Sequence, residues 1–127
     1  MKVLSLLLAI SLLGVRLHAQ ELWDTSETRT WYPYCKILAD GRATGDMEMI
    51  AGSFCMGTIR AAQQMGSLMC FMEGSKTGIG SSARRANNQT LLLVVLNFYE
   101  KHANVFDVQD LSFTAFAALS QAYPCDR

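Results

Sequence analysis

The sequence predicts an all-α fold, a small helical bundle of about four helices stapled by two disulfides. Three observations lead there. Apolar residues recur mostly at helical spacing, strand-like alternation is scarce, and Pro33 and Pro124 are the only prolines. The chain opens with a secretion signal. Its four cysteines, Cys35, Cys55, Cys70 and Cys125, all lie beyond that signal, and an even count in a small secreted chain reads as a disulfide framework.

The opening MKVLSLLLAISLLGVRLHAQ has Lys2 as its positive start, an apolar Val3–Val15 run and small Ala19 before a cleavage site. The run falls short of the ~20 residues that a spanning helix needs, so residues 1–19 read as a signal peptide rather than a membrane anchor. Cleavage leaves residues 20–127 as one domain of 108 residues. Losing Lys2 and Arg16 lowers the basic count from 11 to 9 against 11 acidic residues, a net charge of −2. That balance gives no electrostatic reason to expect nucleic acid or an anionic membrane as a partner.

The first helix is expected over Thr28–Ala39, stopped by Asp40-Gly41, with Pro33 either inside it or marking its start. The second is expected from Asp46, as N-cap, to Met65, with Gly66 as its stop. Met47, Ile50, Phe54, Ile59 and Ala62 roughly follow its apolar period. A third runs from Asn88 to His102, and a fourth from Asp110 to Ala122, ending before Pro124, with Phe113, Phe116 and Leu119 on one face. If the third and fourth helices form an antiparallel hairpin, Cys70 and Cys125 meet at its open end. Cys35 and Cys55 then stand at similar heights on the first hairpin. Of the three connectivities that four cysteines allow, this geometry selects Cys35–Cys55 and Cys70–Cys125.

Candidate chemistry is thin. His102 is the one histidine of the mature chain, and a Cys–His hydrolase needs a free thiolate that this pairing removes. Asp46, Glu48, Asp107 and Asp110 sit at helix starts, where capping and the helix dipole explain them. No cysteine pair has the close spacing of a structural zinc site, and no cofactor is expected. Gly78-Ile79-Gly80-Ser81-Ser82-Ala83 matches a dinucleotide fingerprint but lacks the strand–helix context that gives the pattern meaning. Six methionines between Met47 and Met72 read chiefly as adaptable core filler, with a Cu(I) site or a pliable binding surface as competing readings. Gly52 and Gly57 can admit a neighbouring helix, within the monomer or across a dimer. Trp23, Trp31, Tyr32 and Tyr34 read chiefly as an aromatic cap on the bundle, with a partner anchor as the competing reading.

Three stretches carry a resemblance to a known family. Cys55-Met56-Gly57-Thr58-Ile59-Arg60-Ala61 resembles a C-x-G-[YF]-[IL]-x-[GA] pattern on a central helix. Phe98–His102 resembles Y-L-x-x-H-P-E, and Ala117–Cys125 resembles an AL-x-x-AFPC terminus. Together they are similar to the Rap/Tai family of periplasmic immunity proteins, over most of Cys35–Cys125. The resemblance implies a small helical, disulfide-bonded periplasmic protein that is not an enzyme. Its implied partner is a cognate peptidoglycan amidase effector of type VI secretion, whose active-site cleft it blocks, and relatives suggest a homodimer. Ala103-Asn104 stands where the family tends to have Pro-Glu, and the segment after Cys70 is longer than the family's usual turn.

That segment, between Cys70-Phe71-Met72 and the Leu91–Leu96 run, far exceeds the median connection of roughly 4–6 residues. Its Gly/Ser content favours a solvated, flexible insertion. Under the resemblance it is instead a partner-binding tongue, with Lys76, Arg84 and Arg85 pairing with acidic groups and Gly78 and Gly80 letting it bend. Replacing Gly74–Asn87 by a short turn is expected to leave folding intact and to weaken effector binding. A periplasmic chaperone or carrier that binds apolar ligands through the Met-rich helix is the alternative function.

Overall fold

The computed structural model describes residues 28–72, 75–106 and 109–126. Both the expected signal peptide and Trp23 lie outside them. Among the described residues there are six helices and no strand: α1 (Thr28–Ala39), α2 (Asp46–Cys70), α3 (Ser82–Arg85), α4 (Asn88–Lys101), α5 (Ala103–Phe106) and α6 (Leu111–Ala122). Four of these form the bundle. α2 packs on α1 and α6, α4 packs on the same two, and α3 and α5 are single turns in the connections. Both expected disulfides are present: Cys35–Cys55, with Cα atoms 5.7 Å apart, and Cys70–Cys125, at 5.4 Å. Two disulfides point to an oxidising compartment. No described helix is long and apolar enough to cross a membrane.

The helix ends show why the elements stop where they do. α1 carries Pro33 in its interior and closes at Gly41, whose φ of 68° is left-handed. Gly41 N–H donates to Leu38 O and Arg42 N–H to Ile37 O, which satisfies the last carbonyls in a Schellman arrangement. The N-cap of α2 is Gly45 rather than Asp46, and Glu48 reaches back to accept from the backbone N–H groups of Thr44 and Gly45. Asn87 caps α4 by accepting from Thr90 N–H at 2.8 Å, and Asp110 caps α6 by accepting from Phe113 N–H at 2.7 Å.

The expected faces of two helices are corrected by the structure. On α2 the buried positions are Ala51, Gly52, Cys55, Ile59, Ala62, Gln63, Gly66 and Ser67, whereas Met47, Ile50 and Phe54 face outward. The cause is covalent: Cys55 must point at Cys35, and the residues three and four positions away follow it inward. Met47, Met49, Met65 and Met72 are therefore exposed, not core filler, and of the Met-rich stretch only Met56 is packed against the core. On α6 the inward face is Leu111, Thr114, Ala115, Ala118 and Leu119; Phe113 is exposed and Phe116 half-buried. Leu91, Leu92, Val95 and Leu96 of α4 complete the core. Trp31 is buried, donates from Nε1 to Gln109 O, and meets the Tyr32 and Tyr99 rings edge-on, so it closes one end of the bundle.

The two crosslinks enclose chain segments of different length, 55 residues for Cys70–Cys125 and 20 for Cys35–Cys55. The chain-entropy model then assigns them about 4 and about 3 kcal/mol. Paired Cys→Ala substitution followed by urea unfolding should rank them in that order. The gap narrows to the extent that removing the fully buried Cys35–Cys55 sulfurs leaves a void.

Candidate functional site

The long connection between α2 and α4 is not a solvated insertion. Its centre, Gly78-Ile79-Gly80, is buried, and Ile79 is fully so. Ile79 N–H donates to Gly66 O at 2.9 Å, and Gly80 N–H donates to Tyr123 O at 2.7 Å. The loop is thereby tied to the middle of the last turns of α2 and to the end of α6. Further on, Ala83 of α3 is buried as well, and both the Ser81 hydroxyl and its backbone N–H donate to Asp126. Those two bonds hold the Asp126 carboxyl below the usual carboxylate range. Arg60 of α2 secures the far end, donating from Nε to Asn88 Oδ1 at 2.9 Å and from its guanidinium to Ala86 O at 2.8 Å.

Glycine is required where this loop meets the helices. A Cβ at Gly66 would collide with the Ile79 side chain, and one at Gly80 with the Pro124 carbonyl. At Gly78, φ is +155°, and a Cβ would stand 2.8 Å from Cys70 Sγ and 3.0 Å from Cys125 Sγ. Gly66 therefore does not stop α2. It opens a notch for Ile79, and the helix runs on to Cys70 so that the second disulfide can form. The pattern that resembles a dinucleotide fingerprint has a packing role: Gly78 and Gly80 pass close to sulfur and backbone, while Ile79 and Ala83 are buried.

Of the five residues expected to contact a partner, Gly78 and Gly80 are inside the protein. Lys76, Arg84 and Arg85 are exposed. Deleting Gly74–Asn87 would remove Ile79 and Ala83 from the core, so the expectation that a shortened loop folds normally is overturned; Gly74 itself lies outside the described residues. What the sequence reading missed is the company these cations keep. Phe71 and Met72, just past α2, are strongly exposed, and the Arg84 guanidinium lies over the Phe71 ring at 5.9 Å. An isolated isoleucine between two glycines was the available signal that this loop is anchored.

The remaining candidates have structural roles. His102 caps α4; its Nδ1 lies 2.8 Å from Phe98 O, to which it donates, and its ring stacks on Phe98 at 4.4 Å. All four cysteines are in disulfides. No cluster of three or more His, Cys, Asp or Glu side chains suited to a metal occurs among the described residues. On the α1–α4 side, the Tyr32 hydroxyl donates to Glu100 at 2.7 Å, and Lys36 lies 3.5 Å from the same carboxylate. Burial, and then the bond to Glu100, push the Tyr32 phenol up to about 12. The Tyr32 hydroxyl, aided by Lys36, holds the Glu100 carboxyl below its ordinary value. Along the outer side of α2, Ile50, Ser53, Phe54, Gly57, Thr58 and Ala61 line a shallow apolar groove of about 550 Å³.

Comparison with known proteins finds no matching family model, no matching curated protein and no matching solved structure.

Two tests follow from this geometry. Gly66→Ala should cost about 1–3 kcal/mol by overpacking, and Ile79→Ala about 2–4 kcal/mol by leaving a cavity. The double variant should be clearly more stable than the sum of the two, because alanine at 79 removes the clash; additive costs in urea unfolding would show that the two residues do not touch. For the Tyr32–Glu100 pair, the raised phenol contributes stability below pH ~10 that is lost as pH rises towards 12. The lowered carboxyl contributes stability above pH ~4.3 that is lost as pH falls through its folded value. Tyr32→Phe should therefore remove a small advantage, under about 1 kcal/mol for so exposed a pair, that is flat across neutral pH and fades at both extremes.

Proposed function

We propose that the protein is a periplasmic immunity protein that binds a type VI secretion peptidoglycan amidase effector and obstructs its active-site cleft. The observation that carries this reading is the exposed surface at the end of α2: Phe71 and Met72 beside Arg84, with Lys76 and Arg85 on the same anchored loop. An aromatic side chain beside arginine is the composition of an interface hot spot. The anchoring of Ile79 and the Cys70–Cys125 bond limit the conformational entropy lost when such a surface binds. Steric obstruction needs no nucleophile, which accords with cysteines committed to crosslinks. The three motif resemblances and the secretion signal supply the periplasmic setting and the class of target.

The exposed methionines favour a second reading, a carrier of apolar ligands along α2. Titration with an apolar fluorescent dye separates the two: strong binding by the native protein supports the carrier. One-to-one capture and inhibition of a purified type VI secretion peptidoglycan amidase supports immunity. On the immunity reading, Phe71→Ala and Arg84→Glu should each weaken that capture ~10- to 100-fold, with helical content unchanged. Full inhibition by both variants would remove this surface from the interface, and failure to capture any such amidase would sink the reading itself.

A further inference from the structure

The two disulfides differ in where they sit and in what they hold. Cys35 is 0% and Cys55 2% exposed, so their bond lies in the core between α1 and α2. Cys70 and Cys125 are half-buried, one at the end of α2 and the other just past α6. A disulfide opens when a thiolate attacks one of its sulfurs, so exchange in the folded protein requires access. The core bond gives access once the bundle itself opens, whereas the half-buried bond can react from the native state. The ranking by loop entropy concerns the unfolded chain and leaves this difference in access untouched.

The contacts around Cys70–Cys125 join two pieces of irregular chain. Residues 123–126 leave α6 as a short strap beside the loop. Tyr123 O accepts from Gly80 N–H, Asp126 accepts from the Ser81 hydroxyl and N–H, and Pro124 O lies where a Cβ on Gly80 would stand. Gly78 passes so close that a Cβ there would lie 2.8 Å from Cys70 Sγ and 3.0 Å from Cys125 Sγ. The bond thus clamps together the strap and the end of α2, with the loop held against both. Structure on either side has its own support. Arg60 fastens the loop again at Ala86 and Asn88, and α6 keeps Leu111, Ala115, Ala118 and Leu119 in the core.

We infer that Cys70–Cys125 is a redox latch: a dithiol oxidoreductase of the thioredoxin type opens it in the folded protein, the strap and residues 75–85 come free, and the four-helix bundle stays closed on Cys35–Cys55. A thiolate of the reductant attacks one sulfur, forms a mixed disulfide with that cysteine and releases the other cysteine as thiolate. The reductant's second thiol then resolves the mixed disulfide. Two electrons and two protons pass to Cys70 and Cys125, and the reductant is left with a disulfide of its own. With the strap unclamped, Gly80 and Ser81 lose their acceptors on it. Phe71 stays with α2 while Arg84 moves with the loop, so opening parts the contact between them. The inference does not depend on the inhibitor reading.

Timed reduction of the native, fully oxidised protein by purified reduced thioredoxin tests it, with alkylation and peptide mapping at each point. The species that accumulates should carry alkylated Cys70 and Cys125 with Cys35–Cys55 intact, formed at least ~10-fold faster than any opening of the core bond. Its helical signal should persist. Amide hydrogen exchange at Ile79, Gly80 and Ser81 should rise at least ~10-fold in that species, while Leu92, Val95 and Leu96 stay protected. Both bonds opening together, or Cys35–Cys55 opening first, would overturn the inference. So would unchanged exchange at Ile79 and Gly80, which would mean that the bond fastens nothing locally, or exchange rising throughout α4, which would make it a staple of the whole bundle. Opening by dithiothreitol but not by thioredoxin would put the bond beyond the reach of a protein dithiol and overturn it as well.

Discussion

The Cys35–Cys55 bond decides how α2 is oriented, and α2 decides most of the rest. That helix is 25 residues long and apolar on two sides, so hydrophobic pattern leaves its rotation about its own axis ambiguous. A covalent link to α1 selects one side. It draws Ala51, Cys55, Ile59, Ala62 and Gly66 inward and leaves the methionine-rich side facing out. Burying either side would remove apolar area from water at a similar gain per Å², so the choice falls to geometry and not to hydrophobicity alone.

With that rotation set, Gly66 faces the returning loop. It provides the notch that Ile79 fills, and Gly78 and Gly80 let the chain pass against the second disulfide and the end of α6. The loop thus serves as a third tie between α2 and α6, alongside direct packing and Cys70–Cys125. A domain of this size has a modest core, so one buried isoleucine and two crosslinks are a substantial share of its stability. The same tie flanks Phe71, next to Cys70, and Arg84, next to the buried Ala83.

The outcome is a scaffold whose hydrophobic surplus is displayed rather than hidden. Among the described residues, exposed apolar side chains lie along α2 and at its end, where Lys76, Arg84 and Arg85 are exposed as well. Such a distribution suits a protein that works by contact. Its ionisable groups are explained locally: His102 and Asp110 cap helices, Asp126 accepts from Ser81, and Glu100 accepts from Tyr32.

The sequence by itself determined the all-α class, the α1 bounds at Thr28 and Ala39, the start of α4 at Asn88, the end of α6 at Ala122, and both disulfides. The element bounds depend on caps and breakers written within a few residues of where they act, and the pairing of the cysteines follows from their heights along the hairpins that those bounds define. Only the tertiary structure decided which side of α2 is inside, that Gly66 is a notch and not a stop, that α6 turns Phe113 outward, and that a glycine-rich loop is part of the core. Each of those depends on a partner distant in sequence: Cys35 for Cys55, Ile79 for Gly66, Pro124 for Gly80. A glycine that ends a helix and a glycine that admits a side chain are the same letter, and only the neighbour across the fold distinguishes them.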